Sequence, residues 1–331
     1  MLTCLPDKMS EDKKTGGTDD VKQSSGSITT GRASGLLTLA VGTLFYSSGS
    51  CARPDLQPLG PNIADKGSAF YHFTQRQYDS VDGARHYRVW TAVPNKAPPA
   101  AGYPVLYMLD GNAVMDKLSD AFLQQLSAGS PPVIVAIGYQ TALPFDTAAR
   151  AWDYTPPLKT FTPRTGKPAP PPRKTGGNYI FRQLLTETMV PQAEANLKID
   201  PRQRALWGHS YGGLFVLDAW RNHSLFRIYY SASPSLGQAQ TSPLKDTATL
   251  DGTAFTGTSL YLLEGDGKAA AEPSGHEASL GVLRQTQRQL AGNGLTVQFW
   301  RYPGLTHGQM FDVSLRSALL HLSGQPPLAH Q

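Results

Sequence analysis

Two stretches of the chain, YPVLYMLD (103–110) and PVIVAIG (132–138), run apolar almost without a break and are shorter than an ordinary helix. A strand with one wet face alternates polar and apolar residues, whereas a strand covered on both faces has no reason to. Comparable segments, QRALWGHS, FRIYYSASPS, SLYLLEGDG and TVQFWRYPG, follow at intervals. Helical sequence separates them: near 114–126, over 178–197 with an interruption at Pro191, after Ser210, over HEASLGVLRQTQRQLAGNG and over DVSLRSALLHL. This alternation fits an α/β class with a mostly parallel sheet and helices on both faces. Ahead of it, FYHFTQRQYDS and ARHYRVWTAV turn at Asp82-Gly83 and are expected to open the sheet as an antiparallel hairpin.

An open parallel sheet places its ligand site at the carboxyl ends of its strands. LWGHSYGGLFVL puts Ser210 at such an end, directly before a helix and between Gly208 and Gly212. A nucleophilic serine on so tight a strand-to-helix turn needs small flanking residues, because the backbone there is crowded and strained. The hydroxyl also needs a base, and in this topology an acid and then a histidine follow the serine along the chain. Among His223, His276, His307, His321 and His330, it is His307 in YPGLTHGQMF that falls between the last strand and the last helix. Asp266, after SLYLLEG, is the candidate acid; Glu264 and Glu272 could replace it, and a pair with no acid stays open. Oxyanion donors are expected from the backbone N–H of Tyr211 and from Gly111 or Asn112 after VLYMLD.

The 331 residues divide into three parts. Residues 1–52 are expected to be a disordered region carrying a signal-like or anchor segment, GLLTLAVGTLFY (35–46), before the small residues that lead to Cys51. Residues 53–69 read as a linker and 70–331 as one domain. Export to the periplasm, with or without a retained inner-membrane anchor, is the expectation. Cys4 and Cys51 are the only cysteines, so the domain has no disulfide framework and no cysteine-ligated zinc site. No metal-binding cluster is visible, and no cofactor is expected.

The net charge of +5 comes without any nucleic-acid-binding signature, and no nucleic-acid partner is expected. Part of that charge sits in the Pro-rich loop 155–177, which carries Lys159, Arg164, Lys167, Arg173 and Lys174 and no acid. Proline rules out a helix there, and a basic rim that attracts an anionic substrate is the functional reading.

Taken together, PVLYMLDGNAVMD, ALPFDTAARAWDYTPP, GHSYGGLFVLDAW, YYSASPSLG and GLTHGQMF resemble the esterase D-like α/β-hydrolases. Within them, the similarity is to the periplasmic trilactone esterases of enterobactin and salmochelin, and it runs from about residue 70 to 323. The resemblance implies an α/β-hydrolase fold and hydrolysis of the serine trilactone of a catecholate siderophore, free or as its ferric complex. It sets Ser210 and His307 on the family's nucleophile and base. It also implies a Ser-His pair without a clear acid, which weakens the case for Asp266. Arg150 would then help capture an anionic substrate, and Trp152 and Tyr154 would stack on catechol rings. A general carboxylesterase or acyltransferase, and a carrier that binds without turnover, are the competing readings.

Overall fold

The computed structural model describes residues 56–157, 174–236, 243–267 and 276–331, with backbone alone for 276–279. The expected signal or anchor segment, both cysteines and most of the basic loop lie outside the described residues.

Among the described residues, eight strands form one sheet in the order β1-β2-β4-β3-β5-β6-β7-β8. They are β1 Tyr71–Asp79, β2 His86–Pro94, β3 Tyr103–Leu109, β4 Val133–Tyr139, β5 Ile199–His209, β6 Ile228–Ala232, β7 Ser259–Gly265 and β8 Thr296–Tyr302. β2 pairs antiparallel with β1 and β4, and every later pairing is parallel. This is the α/β-hydrolase arrangement, with the hairpin at one edge. The opposite edge, β8, is bordered by the end of the chain: the N–H of Arg301 donates to the carbonyl of Gln331 at 2.9 Å, and that of Gln331 donates back at 2.8 Å.

The helices are α1 Ile63–Lys66, α2 Gly111–Lys117, α3 Asp120–Ser127, α4 Ala149–Tyr154, α5 Asn178–Leu184, α6 Val190–Glu194, α7 Tyr211–Arg221, α8 His276–Gly292 and α9 Met310–Leu322. Strand pleating explains the uninterrupted apolar runs. In β3, Val105, Tyr107 and Leu109 join a core shared with α5, α7 and α8, while Leu106 and Met108 join a second core under α2, α3 and α9. Both sides of the strand are dry.

Two helical expectations change. The helix foreseen over 114–126 is two helices, because the Ser119 hydroxyl accepts the N–H of Phe122 and caps a new start. Over 178–197, Pro191 does not break the helix. It has no N–H to give, and the chain widens into a π-turn over Leu185–Met189 before resuming as α6.

Candidate active site

Backbone strain gathers at the carboxyl edge of the sheet. Asp110 after β3 (φ 57°), Ser210 after β5 (φ 60°) and Ser233 after β6 (φ 38°) all hold left-handed φ without being glycine. Such conformations cost about 1–3 kcal/mol each and persist where surrounding contacts impose them.

At Ser210 the imposing contacts are visible. Its N–H donates to the carbonyl of Ala232 (3.0 Å), and its carbonyl accepts the N–H of Ser235 (3.2 Å). A β-carbon at Gly208 would fall on the carbonyl of Gly212, and one at Gly213 would stand 2.6 Å from the carbonyl oxygen of Ala232. At Gly212, by contrast, a β-carbon would meet only ordinary contacts at 3.5 Å from Leu109. The small residues the turn needs are therefore 208 and 213. Ser210 stands half-buried at the N-terminus of α7, and its Oγ lies 3.0 Å from the Oγ of Ser235.

His307 is half-buried in the loop between β8 and α9. That loop is tied to the nucleophile turn by His209, whose Nε2 donates to the His307 carbonyl at 2.8 Å. The two imidazoles have centroids 4.7 Å apart, and His209 also packs edge-on against Phe311. Burial, then the neighbouring His307, hold His209 well below the ordinary histidine range, with the bond to the His307 carbonyl pulling weakly the other way. Neutral His209 must carry its proton on Nε2, since a carbonyl can only accept. The residue just before the nucleophile thus fixes the backbone of the residue proposed as base.

Asp266 meets the same loop by its backbone. One carboxylate oxygen accepts the Gly304 N–H (2.6 Å), the other lies 2.9 Å from Nε of Arg301, and the Gly267 N–H donates to the Leu305 carbonyl (2.8 Å). Glu264 is 1 % exposed and accepts the Ser233 hydroxyl at 2.6 Å. Glu272 lies outside the described residues.

Gly111 and Asn112 open α2. First-turn amides of a helix have no carbonyl behind them to bond, which leaves these N–H groups and that of Tyr211 as donors at the sheet edge. A β-carbon at Gly111 would stand 2.6 Å from the N of Gly138, so α2 lies directly on β4. The Asn112 side chain staples this approach, donating to the carbonyls of Tyr139 (3.1 Å) and Thr141 (2.9 Å) and accepting the Tyr139 N–H (2.8 Å).

The residues expected to touch substrate are placed differently. Arg150 is held against Asp110 by a forked pair at 2.8 and 2.7 Å, reaches the His209 carbonyl at 3.4 Å, and lies over the rings of Phe145, Tyr154 and Tyr211. Its charge is matched inside the protein, and it braces the turn that starts α2. Tyr154 is fully buried among Tyr139, Phe181 and Phe215, and its hydroxyl accepts the Asp110 N–H at 3.3 Å. It has no face left for a ligand. Trp152 is half-buried beneath Arg85 (5.8 Å) and against Gly177, at the neck of the basic loop. Sequence reasoning missed His209, Ser235 and the Asp110–Arg150 pair. Among the described residues, no group of histidines, cysteines or carboxylates could hold a metal ion.

The chain's residues 80–321 match the model of the family described as "Putative esterase". The chain belongs to this esterase family. The apo-salmochelin esterase of Escherichia coli O6:H1 is 51% identical over 286 residues, 86% of this chain and 89% of that protein. The solved enterobactin hydrolase IroE in complex with DFP superposes with a TM-score of 0.71 at 50% identity, covering 80% of this chain and 100% of that one. The ferri-bacillibactin esterase BesA of Bacillus subtilis is 35% identical over 171 residues, 49% of this chain and 57% of that protein. This esterase is a serine hydrolase acting on carboxylic esters, and its sheet is an α/β-hydrolase sheet.

Proposed function

We propose that this esterase hydrolyses the serine trilactone backbone of catecholate siderophores of the enterobactin and salmochelin type, free or as the ferric complex, with Ser210 as nucleophile and His307 as base. The observation that carries the reading is the strained serine at the strand-to-helix junction, one residue from a histidine bound to the His307 loop. The likeness to the salmochelin and enterobactin enzymes supports the substrate class. Ser210 Oγ attacks a lactone carbonyl and gives its proton to His307, and the tetrahedral oxyanion is received by the N–H groups of Tyr211 and of Gly111 or Asn112. The oxyanion then collapses to a carbonyl, the lactone carbon–oxygen bond breaks, and His307 protonates the departing serine oxygen. His307 next takes a proton from water, which releases the acyl group from Ser210.

In this mechanism Asp266 supports His307 by holding Gly304, and Arg150 supports the oxyanion donors through Asp110. Capture of an anionic substrate falls to the basic loop rather than to Arg150, whose charge is already paired. The signal-like segment before Cys51 supports periplasmic work, with or without a membrane anchor.

The test is incubation of the purified protein with enterobactin, with and without iron, and separation of linear trimer, dimer and monomer. These products should form, and Ser210→Ala should abolish them. Rapid cleavage of simple aryl esters with none of the three would refute the substrate reading in favour of a general carboxylesterase. Transfer of the acyl group to an added alcohol in preference to water would mark an acyltransferase.

A further inference from the structure

The end of β6 and the segment after it carry three serines at alternate positions, 231, 233 and 235, and each hydroxyl has a different partner. Ser231 Oγ donates to the Gly213 carbonyl (2.9 Å), Ser233 Oγ donates to Glu264 (2.6 Å), and Ser235 Oγ meets the nucleophile oxygen of Ser210 (3.0 Å). Only the third touches a reacting atom. Its position is set by the main chain as well, since the Ser235 N–H donates to the Ser210 carbonyl and Pro234 restricts the backbone before it.

We propose that Ser235 is a further catalytic residue, whose hydroxyl donates to Ser210 Oγ while that oxygen carries developing charge. The inference rests on the Ser210–His307 reading above. A serine hydroxyl has one proton, and in the productive state the proton of Ser210 points to His307. The bond between the two serines must then run from Ser235 to Ser210. As His307 draws the proton away, charge builds on Oγ, and a hydrogen bond to a charged acceptor is about twice as strong as one to a neutral acceptor. The contact therefore strengthens between ground state and transition state, the condition for raising kcat rather than lowering KM.

Ser235 keeps its own proton throughout. In acylation the Oγ–carbon bond forms as the Oγ proton passes to His307 and the carbonyl π pair moves to oxygen; that pair then restores the carbonyl, the carbon–alkoxy bond breaks with its pair leaving on the alkoxy oxygen, and this oxygen takes the proton from His307. In deacylation water bonds to the acyl carbon and yields a proton to His307. The carbon–Oγ pair returns to Oγ, and Oγ recovers that proton. Charge passes through Oγ in both halves, so both should depend on Ser235.

The test is pre-steady-state hydrolysis of p-nitrophenyl acetate by the wild type, Ser235→Ala, Ser235→Thr and Ser210→Ala, with thermal melting as the folding control. Alanine keeps the N–H that holds the Ser210 carbonyl. The expected result for Ser235→Ala is acylation and deacylation each slower by about 10–100-fold with substrate binding unchanged, and recovery of most of the loss in Ser235→Thr. Ser235→Ala within about threefold of wild type, a loss confined to KM, or a threonine variant as slow as alanine would overturn the proposal. Ser210→Ala separates the two layers. If it still turns over, the nucleophile assignment fails; if it is silent while Ser235→Ala runs at full rate, only the role of Ser235 fails.

Discussion

Replacing His209 with glutamine should remove a pH dependence of stability that the wild type carries. The imidazole is 6 % exposed and held well below 6.5 by burial and by the adjacent His307. The unfolded chain protonates this histidine near 6.5, whereas the folded chain does not. A base with a depressed folded pKa gives stability that is fully present above the unfolded value and lost as pH falls below it. Between pH 7.5 and 5.5 the loss is RT ln(1 + 10) less RT ln(1 + 0.1), which is RT ln 10, on the order of 1 kcal/mol. Glutamine is neutral at both pH values and can offer an N–H to the His307 carbonyl, so the remaining titrating groups behave alike in both proteins. Urea unfolding followed by tryptophan fluorescence at the two pH values measures the difference. On acidification the wild type should lose on the order of 1 kcal/mol more than His209→Gln. Equal losses would refute the assignment of His209 as a buried neutral donor.

Gly213→Ala should cut esterase activity at least about tenfold, because the added carbon meets the Ala232 carbonyl that also anchors the Ser210 N–H; kcat on an aryl ester reports it. Arg150→Met leaves the Asp110 carboxylate buried without its partner and should cost about 3–5 kcal/mol in urea unfolding, with Asp110→Asn in the same chain recovering part of it. Tyr154→Phe removes the acceptor of the Asp110 N–H and should cost about 1–3 kcal/mol by the same measurement. Asp266→Asn should lower kcat by less than about tenfold if the carboxylate acts through Gly304, against about 10⁴-fold for an aspartate that directly orients a catalytic imidazole.

What could be read from the sequence is what depends on neighbours along the chain. Apolar runs marked strands with two dry faces, and Gly208, Ser210 and the following helix marked a turn that any such sequence must strain to make. The cap at Ser119 was not read, because the segment suits one longer helix until the break is seen. Arg150 was not legible. Its partner lies forty positions earlier in a Leu-Asp-Gly turn, and only the meeting of the ends of β3 and α4 makes the pair. The aromatic residues beside it suggested a binding face, but composition does not tell a buried ring from an exposed one, and Tyr154 is buried. Asp266 was located correctly after β7, yet a carboxylate at that position can serve an imidazole or a backbone amide, and its Gly304 contact appears only in three dimensions. His209 was in view as part of the serine motif; nothing local shows that it reaches a carbonyl 98 residues away.

The reciprocal pairing of Gln331 with Arg301 has a bearing on how copies of this molecule behave together. A bare outermost strand is a template on which a neighbouring molecule can zip. Removing the last few residues, or pulling them aside with an appended tag, should raise light scattering at high protein concentration while leaving turnover of dilute enzyme unaltered.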